Sequence, residues 1–531
     1  MRTDDSPPRA PAGPGSDGYF VSSTYTDQLR PGSFPLLVLL LFAAGAACVF
    51  AYPPNHDMAW NLWVAQRMLE GARLNVDIVE LNPPLVLYIA VAVHAMGETL
   101  GVWDLTMYRI LGLLLAALAV VLVTRIGPRA LRDWPAHARH VLLLLWIFLI
   151  LAAPGTLFAQ REHLMMILIA PHVLAAIALM RGDDVGTSIA VAAGVMAGLG
   201  FALKPHYLPV WLALELFVVR ARGLRSVVRP GHVALLCVFA GYGVTVLLAG
   251  RDYLDIARRT AQVYGAYFPS TPLQILGSPG AILSAAALLA ALLVPATDAT
   301  RALRRFLIVA IPLLVVAVFV QNKNWSYHWY PAWLCAVVLL AIVVFDGLAR
   351  FRSAAAPRHL VAFTAVLLLG ATAVSGAQSR SDWAFMAGEQ YRLPEMIQLV
   401  EQRGGEGPIV AFSTGMQVAF PLVNYTGIGW GLRFPTLWMI PGFYANGRGM
   451  LSYHAPAEMS DNERWFFHAV VEDFVRSRPT LLFVDTRPAG NLLHGFDYLV
   501  YFSQDSRFVQ AMRDYSYAGD VGPWRIFQRV R

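Results

Sequence analysis

The sequence predicts an α-helical polytopic membrane protein with a C-terminal α/β domain outside the membrane. The first observation is composition: 57% of the 531 residues are hydrophobic and 14% are charged, whereas soluble domains carry about 25% charged residues. The second is the recurrence of apolar runs between residues 36 and 375, separated by short polar connections. The third is a change after residue 375, where charge rises and short β-like runs replace the long apolar ones.

Three parts are predicted along the chain. Residues 1–33 are rich in Pro, Gly, Ser and Asp and lack periodicity, so we expect a disordered cytoplasmic tail. Residues 34–375 form the transmembrane domain, whose first outer loop spans 53–85. Residues 376–531 form the extracytoplasmic α/β domain. Its expected elements are β-like runs at 408–413 and 480–485, with a helical stretch at 462–475 between them.

Basic residues between the apolar runs predict the orientation. Clusters surround Arg132, Arg225, Arg304 and Arg352, and placing all four in the cytoplasm gives a consistent alternation of spans. This placement requires that the short run at 85–97 does not fully cross, so we expect a re-entrant or interfacial helix there. About eleven spanning helices result; a twelfth would break the charge rule. The net charge of +7 follows from these flanking residues and gives no reason to expect nucleic acid binding.

The predicted orientation gathers a small set of ionisable residues on the outer side. Asp57 follows the first apolar run by a few residues, with His56 before it and an amphipathic stretch at 58–69 after it. The motif Asn82-Pro83-Pro84-Leu85 closes this loop. The other outer-side candidates are Arg161, Glu162, His163, Lys204, His206, Lys323 and His328.

This loop resembles the first outer loop of GT-C glycosyltransferases, in particular family 39. That family includes protein O-mannosyltransferases and enzymes similar to the lipid A aminoarabinose transferases. Its members use an acidic residue just after the first membrane helix as catalytic base, a position that Asp57 matches. A motif similar to Lys-Pro-Pro-Leu closes their loop, and this sequence has Asn82 in place of the Lys.

The resemblance implies a GT-C fold and a polyprenyl-phosphate-dependent glycosyltransferase of the bacterial inner membrane. Such an enzyme moves a sugar to an extracytoplasmic lipid, glycan or protein acceptor, and its C-terminal domain lies in the periplasm. The alternative is a polytopic transporter or flippase of lipid-linked sugars. Transporters usually carry internal repeats and polar groups at the membrane midplane, whereas the polar groups here gather at one face. A relative that only scaffolds an envelope complex is a third possibility.

Transfer from a polyprenyl-phosphate sugar sets two chemical tasks. A carboxylate must take the proton of the acceptor hydroxyl as general base, and cations must hold the phosphate at the membrane surface. Asp57 is the expected base, with His56 beside it as a substrate-binding residue. The structural alternative for Asp57 is a cap on the helix that follows it.

Glu162 is the second catalytic candidate, because ionisable residues between two apolar runs are costly unless they face protein or water. It would orient Arg161 or His163, and Arg161 would meet the phosphate; a structural ion pair at the helix ends is the alternative. Asp57, Glu162 and His163 also form a possible divalent-metal set, although no ligand spacing supports one, so metal dependence stays open. No other cofactor is expected.

The only two lysines of the chain are candidates for binding the donor phosphate. Lys204, followed by His206, is expected to act as a point charge on the phosphate, and snorkelling to the interface is the alternative. Lys323 and His328 lie in a short aromatic segment. That segment is either part of the substrate site or an interfacial aromatic belt.

Overall fold

The computed structural model describes residues 33–350, 357–444, 453–487 and 496–530. The predicted cytoplasmic tail lies outside them, apart from its last residue. The described chain forms a helical bundle followed by a smaller domain that contains a β-sheet. The bundle consists of α1 Ser33–Ala51, α2 His56–Leu69, α3 Leu85–Leu100, α4 Asp104–Ala130, α5 Ala136–Leu151, α6 Arg161–Met180, α7 Thr187–Leu203, α8 Leu208–Arg222, α9 Pro230–Ala249, α10 Arg251–Tyr264, α11 Pro272–Leu276, α12 Pro279–Leu293, α13 Arg301–Gln321, α14 Ser326–Arg350 and α15 Pro357–Ala387.

The bundle is that of a multi-pass membrane protein. Helices suit this role because they satisfy their own backbone hydrogen bonds where no water is present. Among the described helices, seven are long and apolar enough to cross a membrane, namely α1, α4, α6, α9, α13, α14 and α15. Helices α7 and α8 form a broken pair bent by 114°, and α3, α5 and α12 are shorter apolar helices. The eleven predicted spans fall on the seven long helices and on α5, α7, α8 and α12, whereas length and hydropathy give seven candidate spans among the described helices, or eight if the α7–α8 pair is one span.

Contacts between loops show which helix ends share a face of the bundle. Arg132 Nη1 donates to the Asp183 carboxylate at 3.0 Å. Arg181 Nη1 and Trp134 Nε1 both donate to the carbonyl oxygen of Ala299, at 3.1 Å and 2.7 Å. The connections after α4, α6 and α12 therefore meet at one end of the bundle, where two of the four basic clusters predicted to be cytoplasmic, those around Arg132 and Arg304, lie.

A four-stranded sheet forms the centre of the C-terminal domain, in the order β1-β2-β4-β3. Strands β1 and β2 are parallel, and β4 pairs antiparallel with both β2 and β3. The two predicted β-like runs are confirmed by β1 and β2, and the predicted helical stretch is confirmed by α19. The elements are α16 Leu393–Arg403, β1 Ile409–Phe412, α17 Ala419–Thr426, α18 Ile440–Tyr444, α19 Asp461–Ser477, β2 Leu481–Asp485, α20 Tyr498–Phe502, α21 Ser506–Met512, β3 Tyr515–Val521 and β4 Trp524–Arg529.

The last bundle helix joins the two parts of the chain. Helix α15 runs without interruption through the predicted boundary at 375/376 and ends at Ala387. Its outer end is tied to the end of α1, because Trp383 Nε1 donates to the Ala51 carbonyl oxygen at 2.9 Å and Ser379 Oγ donates to the same oxygen. The helix that leads into the C-terminal domain is thus fixed just before the first outer loop.

The C-terminal domain also packs directly on the first outer loop. Asn424 Nδ2 donates to the Ala59 carbonyl oxygen at 3.0 Å, and Val79 N donates to the Arg433 carbonyl oxygen at 2.7 Å. The rings of Trp60 in α2 and Phe420 in α17 lie 5.1 Å apart in an edge-to-face arrangement, which adds about 0.5–1.5 kcal/mol to the burial of the rings. These contacts hold the loop between the bundle and the domain.

The predicted orientation gives a direct test of which end of the bundle faces the cytoplasm. Side-sensitive reporters fused after Asp133, Arg225 and Arg305 should read cytoplasmic, because basic loops are retained on that side. A reporter fused after Arg392 or at the C-terminal end should read the opposite side. A cytoplasmic signal from both of these last fusions would invert the predicted orientation.

Candidate active site

Asp57 lies at the start of α2, and its carboxylate is free of hydrogen bonds to the described residues. The N-cap of the helix is Asn55, whose side-chain oxygen accepts a hydrogen bond from the Asp57 backbone N at 2.8 Å. In the described part of the chain the Asp57 carboxylate accepts no hydrogen bond, and its one ion-pair partner is His56 Nε2 at 3.5 Å. The capping role proposed as an alternative for Asp57 is therefore filled by another residue.

Glu80 organises the segment that closes the first outer loop. One of its oxygens accepts a hydrogen bond from Trp60 Nε1. The other accepts from the backbone N and side-chain Nδ2 of Asn82, at 2.7 Å and 2.6 Å. Burial raises the pKa of the Glu80 carboxyl above its ordinary value. The sequence analysis missed Glu80, although an acidic residue between Val79 and Leu81 was the available signal.

A buried ion pair joins the start of α6 to the break between α7 and α8. Lys204 Nζ lies 2.7 Å from Glu162 Oε1, and His328 Nε2 lies 4.0 Å from the same oxygen. Glu162 is fully buried. His206 Nε2 is also buried and has no hydrogen-bond partner among the described residues. The fold thus brings together candidates from three separate predicted outer segments.

Arg161, the first residue of α6, is a buried cation without a direct partner. It is 7% exposed, it makes no ion pair with any described carboxylate, and its Nη1 has no hydrogen-bond partner there. Asp57, Glu80 and Glu162 act on it electrostatically. These carboxylates balance its charge from a distance, but the Nη1 hydrogen bonds stay unused among the described residues, and a helix N-terminus favours anions. The surroundings of Arg161 therefore suit an anionic ligand.

The side chains of two further candidates, His163 and Lys323, form hydrogen bonds with backbone groups. His163 Nδ1 accepts a hydrogen bond from Ala159 N at 3.0 Å, so its Nε2 is the donor to the Ile150 carbonyl oxygen at 2.7 Å. Lys323 Nζ donates to two carbonyl oxygens at and just beyond the end of α10. Burial lowers the pKa of Lys323 to about 8. The structure does not direct either side chain toward Asp57.

Metal binding receives no support from the described residues. They contain no group of three or more His, Cys, Asp and Glu side chains arranged to hold a metal ion. In the set considered from the sequence, His163 has both ring nitrogens occupied by backbone groups, and Glu162 is paired with Lys204. No step of the chemistry below is therefore assigned to a metal.

A cavity of about 910 Å³ separates the bundle from the C-terminal domain. Asp57, Trp325 and Tyr327 line its bundle side, and Ser413 and Asp485 line the opposite side. These last two residues stand at the carboxyl ends of the parallel strands β1 and β2, the edge at which α/β sheets usually bind ligands. The C-terminal domain thus encloses the space above Asp57.

The overall fold is similar to that of a solved structure over nearly the whole chain. The crystal structure of ArnT from Cupriavidus metallidurans bound to undecaprenyl phosphate matches with a TM-score of 0.54 at 14% identity, over 94% of this chain and 98% of that one. The apo oligosaccharyltransferase of Archaeoglobus fulgidus aligns over 86% of this chain and 70% of that one, with 13% identity and a TM-score of 0.46. No family model and no curated protein sequence matches the chain. The ArnT match confirms the fold class that the sequence predicts.

The Glu162–Lys204 pair makes a prediction about stability. Glu162→Ala should lower the free energy of unfolding by about 3–5 kcal/mol, because it leaves a buried ammonium without its partner. Thermal unfolding in detergent, followed by tryptophan fluorescence, measures the change. The matched control is Glu395→Ala, which removes the exposed partner of Arg392 and should cost less than about 1 kcal/mol.

A double variant separates loss of charge balance from loss of packing. Glu162→Gln combined with Lys204→Met removes both charges at similar volume and should recover most of the stability lost in Glu162→Ala. Equal losses in Glu162→Ala and the exposed control would contradict a structural role for the pair.

Proposed function

We propose that the chain is a glycosyltransferase that moves a sugar from a polyprenyl-phosphate donor to a hydroxyl group of an extracytoplasmic acceptor. The observation that carries the proposal is the combination of an uncommitted carboxylate, Asp57, and an unpaired buried guanidinium, Arg161, at one end of the bundle. A base and an anion site are the two parts that this transfer requires. ArnT, which shares the fold, was crystallised with undecaprenyl phosphate, and this supports the donor class.

Asp57 acts as general base in the proposed reaction. The acceptor hydroxyl gives its proton to the Asp57 carboxylate while its oxygen attacks the anomeric carbon of the sugar. A new carbon–oxygen bond forms there as the bond from that carbon to the phosphate oxygen breaks. Polyprenyl phosphate then leaves as an anion and needs no proton of its own.

Arg161 and Lys204 stabilise the leaving phosphate. The Arg161 guanidinium and the N-terminus of α6 provide donors that strengthen as negative charge develops on the phosphate oxygens. Lys204 adds a second positive charge, and Glu162 acts as a positioning residue because it is fully buried and fixes the Lys204 ammonium. His206 and His328 border this pair, and we assign them to the wall of the phosphate site.

The proposed location is the bacterial inner membrane. The basic segments that meet at one end of the bundle would lie in the cytoplasm. The cavity, Asp57 and the C-terminal domain would then lie at the periplasmic face, where a lipid-anchored donor presents its head group.

Asp57→Asn tests the base. The change keeps the size of the side chain but removes the basic oxygen, so turnover should fall by about 100-fold or more, while binding of undecaprenyl phosphate stays near normal. Helix α2 keeps its cap because Asn55 provides it. Release of undecaprenyl phosphate from a labelled donor measures turnover. The control is Asp77→Asn, in the same loop but outside the cavity lining; normal turnover of Asp57→Asn would remove the proposed base.

Arg161→Ala tests the phosphate site. Loss of charge-assisted hydrogen bonds of about 1.5–3 kcal/mol should weaken the binding of undecaprenyl phosphate by about 10- to 100-fold. Arg161→Lys should recover it only in part, because an ammonium lacks the planar fork of donors. Titration of the purified protein with undecaprenyl phosphate gives the Kd, and Arg67→Ala on the exposed face of α2 is the control. Equal affinity of the Arg161→Ala and wild-type proteins would place the phosphate elsewhere.

A further inference from the structure

The cavity above Asp57 has an acidic lining. Asp57, Asp382 and Asp485 contribute carboxylates, and Arg487 is the one Lys or Arg among the described residues that line it. His56 is the other lining residue able to carry a positive charge. Arg161, assigned above to the donor phosphate, does not line this space. Arg161 and the carboxylates of this cavity therefore lie on different sides of the proposed reaction centre.

The positive charge of Arg487, the one arginine of the described lining, is balanced by the Asp485 carboxylate. Arg487 Nε lies 2.8 Å from Asp485 Oδ1 and Nη2 lies 2.7 Å from Oδ2, a bidentate pair. Its Nη1 donates to the Gln390 carbonyl oxygen at 2.8 Å, and its guanidinium stacks over the Trp524 ring at 4.9 Å. With its three nitrogens engaged, Arg487 offers no free charge to a phosphorylated acceptor.

One carboxylate of the lining still has an unused acceptor atom. Asp382, near the outer end of α15, carries a buried Oδ2 that has no hydrogen-bond partner among the described residues. A carboxylate oxygen accepts strong hydrogen bonds from hydroxyl groups and repels phosphate. On the opposite side, Ser413 Oγ donates to Asp485 Oδ2 at 2.8 Å and accepts from Gly415 N at 3.1 Å, which fixes the polar edge of β1 and β2.

Aromatic side chains complete the lining. Trp325 and Tyr327 lie on the membrane side, and Tyr391 and Phe385 lie near the C-terminal domain. Flat aromatic faces pack against the apolar CH faces of sugar rings, and carboxylates receive the ring hydroxyl groups. The volume of about 910 Å³ is at the upper end of the roughly 300–1,000 Å³ of small-molecule sites, which leaves room for more than one sugar unit.

We infer that this cavity is the acceptor subsite and that it takes an uncharged, hydroxyl-rich glycan rather than a phosphorylated lipid head group or a protein. The inference rests on the proposed function and specifies its acceptor. A glycan hydroxyl placed between Asp57 and the phosphate side loses its proton to Asp57 as the new glycosidic bond forms. Another of its hydroxyl groups donates to the free Oδ2 of Asp382.

The test uses the purified full-length protein and a radiolabelled undecaprenyl-phosphate sugar. Three envelope fractions of the source bacterium are offered separately as acceptors: neutral glycans, phosphorylated lipids and proteins. The labelled product is then separated by anion exchange. We expect label in the neutral glycan fraction, at least tenfold above the other two.

Each other result is decisive. Preferential label in the phosphorylated lipids or in protein would overturn the acceptor class while leaving the proposed function standing, because the donor would still be cleaved. Cleavage of the donor without any labelled glycan would overturn it as well. Absence of donor cleavage with every fraction would overturn the proposed function, and the inference with it.

Asp382→Asn provides the residue-level test. It should raise the KM for the neutral glycan about tenfold, because a charge-assisted hydrogen bond becomes a neutral one, and leave the Kd for undecaprenyl phosphate unchanged. The matched control is Asp461→Asn, whose side chain is 98% exposed and lies away from the cavity lining. An unchanged KM in Asp382→Asn, with an unfolding temperature equal to wild type, would exclude Asp382 from the acceptor subsite.

Discussion

The ion pair between Glu162 and Lys204 is the interaction on which the arrangement of the site depends. Two opposite charges buried inside a helical bundle are tolerated only in close contact. The ion pair therefore holds the start of α6 next to the end of α7. Gly200 permits this approach, because a Cβ there would lie 3.0 Å from Ile169 Cγ2. Pro205 follows at once and lacks the N–H needed to continue α7, and the chain turns by 114° into α8.

That constraint separates the charges of the site into two regions. Glu162 balances only one of the two buried cations beside it, Arg161 and Lys204, so one excess positive charge remains near the N-terminus of α6. Glu80 and Asn82 stabilise each other in the loop that follows α2, which keeps a buried carboxyl near Arg161 without an ion pair. Asp57 lies between this cationic region and the acidic cavity. In the proposed reaction, donor and acceptor would therefore approach Asp57 from surroundings of opposite electrostatic character.

The sequence predicts the parts of the site that lie at the ends of apolar runs. Asp57, Arg161 and Lys204 are visible because ionisable residues at such positions are rare. Their mutual contacts are not visible, since the packing of helices decides which ends meet. Lys323 shows that a rare residue type does not always mark the site, because its ammonium donates hydrogen bonds to backbone carbonyl oxygens.

The packing of the C-terminal domain against the bundle cannot be predicted from the sequence for a related reason. Ser413 and Asp485 follow recognisable strands, but nothing local indicates that those strand ends face Asp57. The β3–β4 hairpin is also not predicted from the sequence, since no residue of β3 is buried and the strand contains Gly519. The described part of the aromatic segment that begins at Asn424 packs inward, with Trp430 and Phe434 buried, and Asn424 donates a hydrogen bond to α2.

The contact between Asn424 and Ala59 has a consequence for how the protein is made. These residues are 365 positions apart, which at a synthesis rate of about 5–20 residues per second is a delay of roughly 20 to 70 seconds. During that interval the first outer loop has been made but lacks the domain that covers it. A chain truncated in this interval contains Asp57 and Arg161 but lacks the C-terminal side of the cavity. The cavity is therefore complete only when the chain has been made through Arg487.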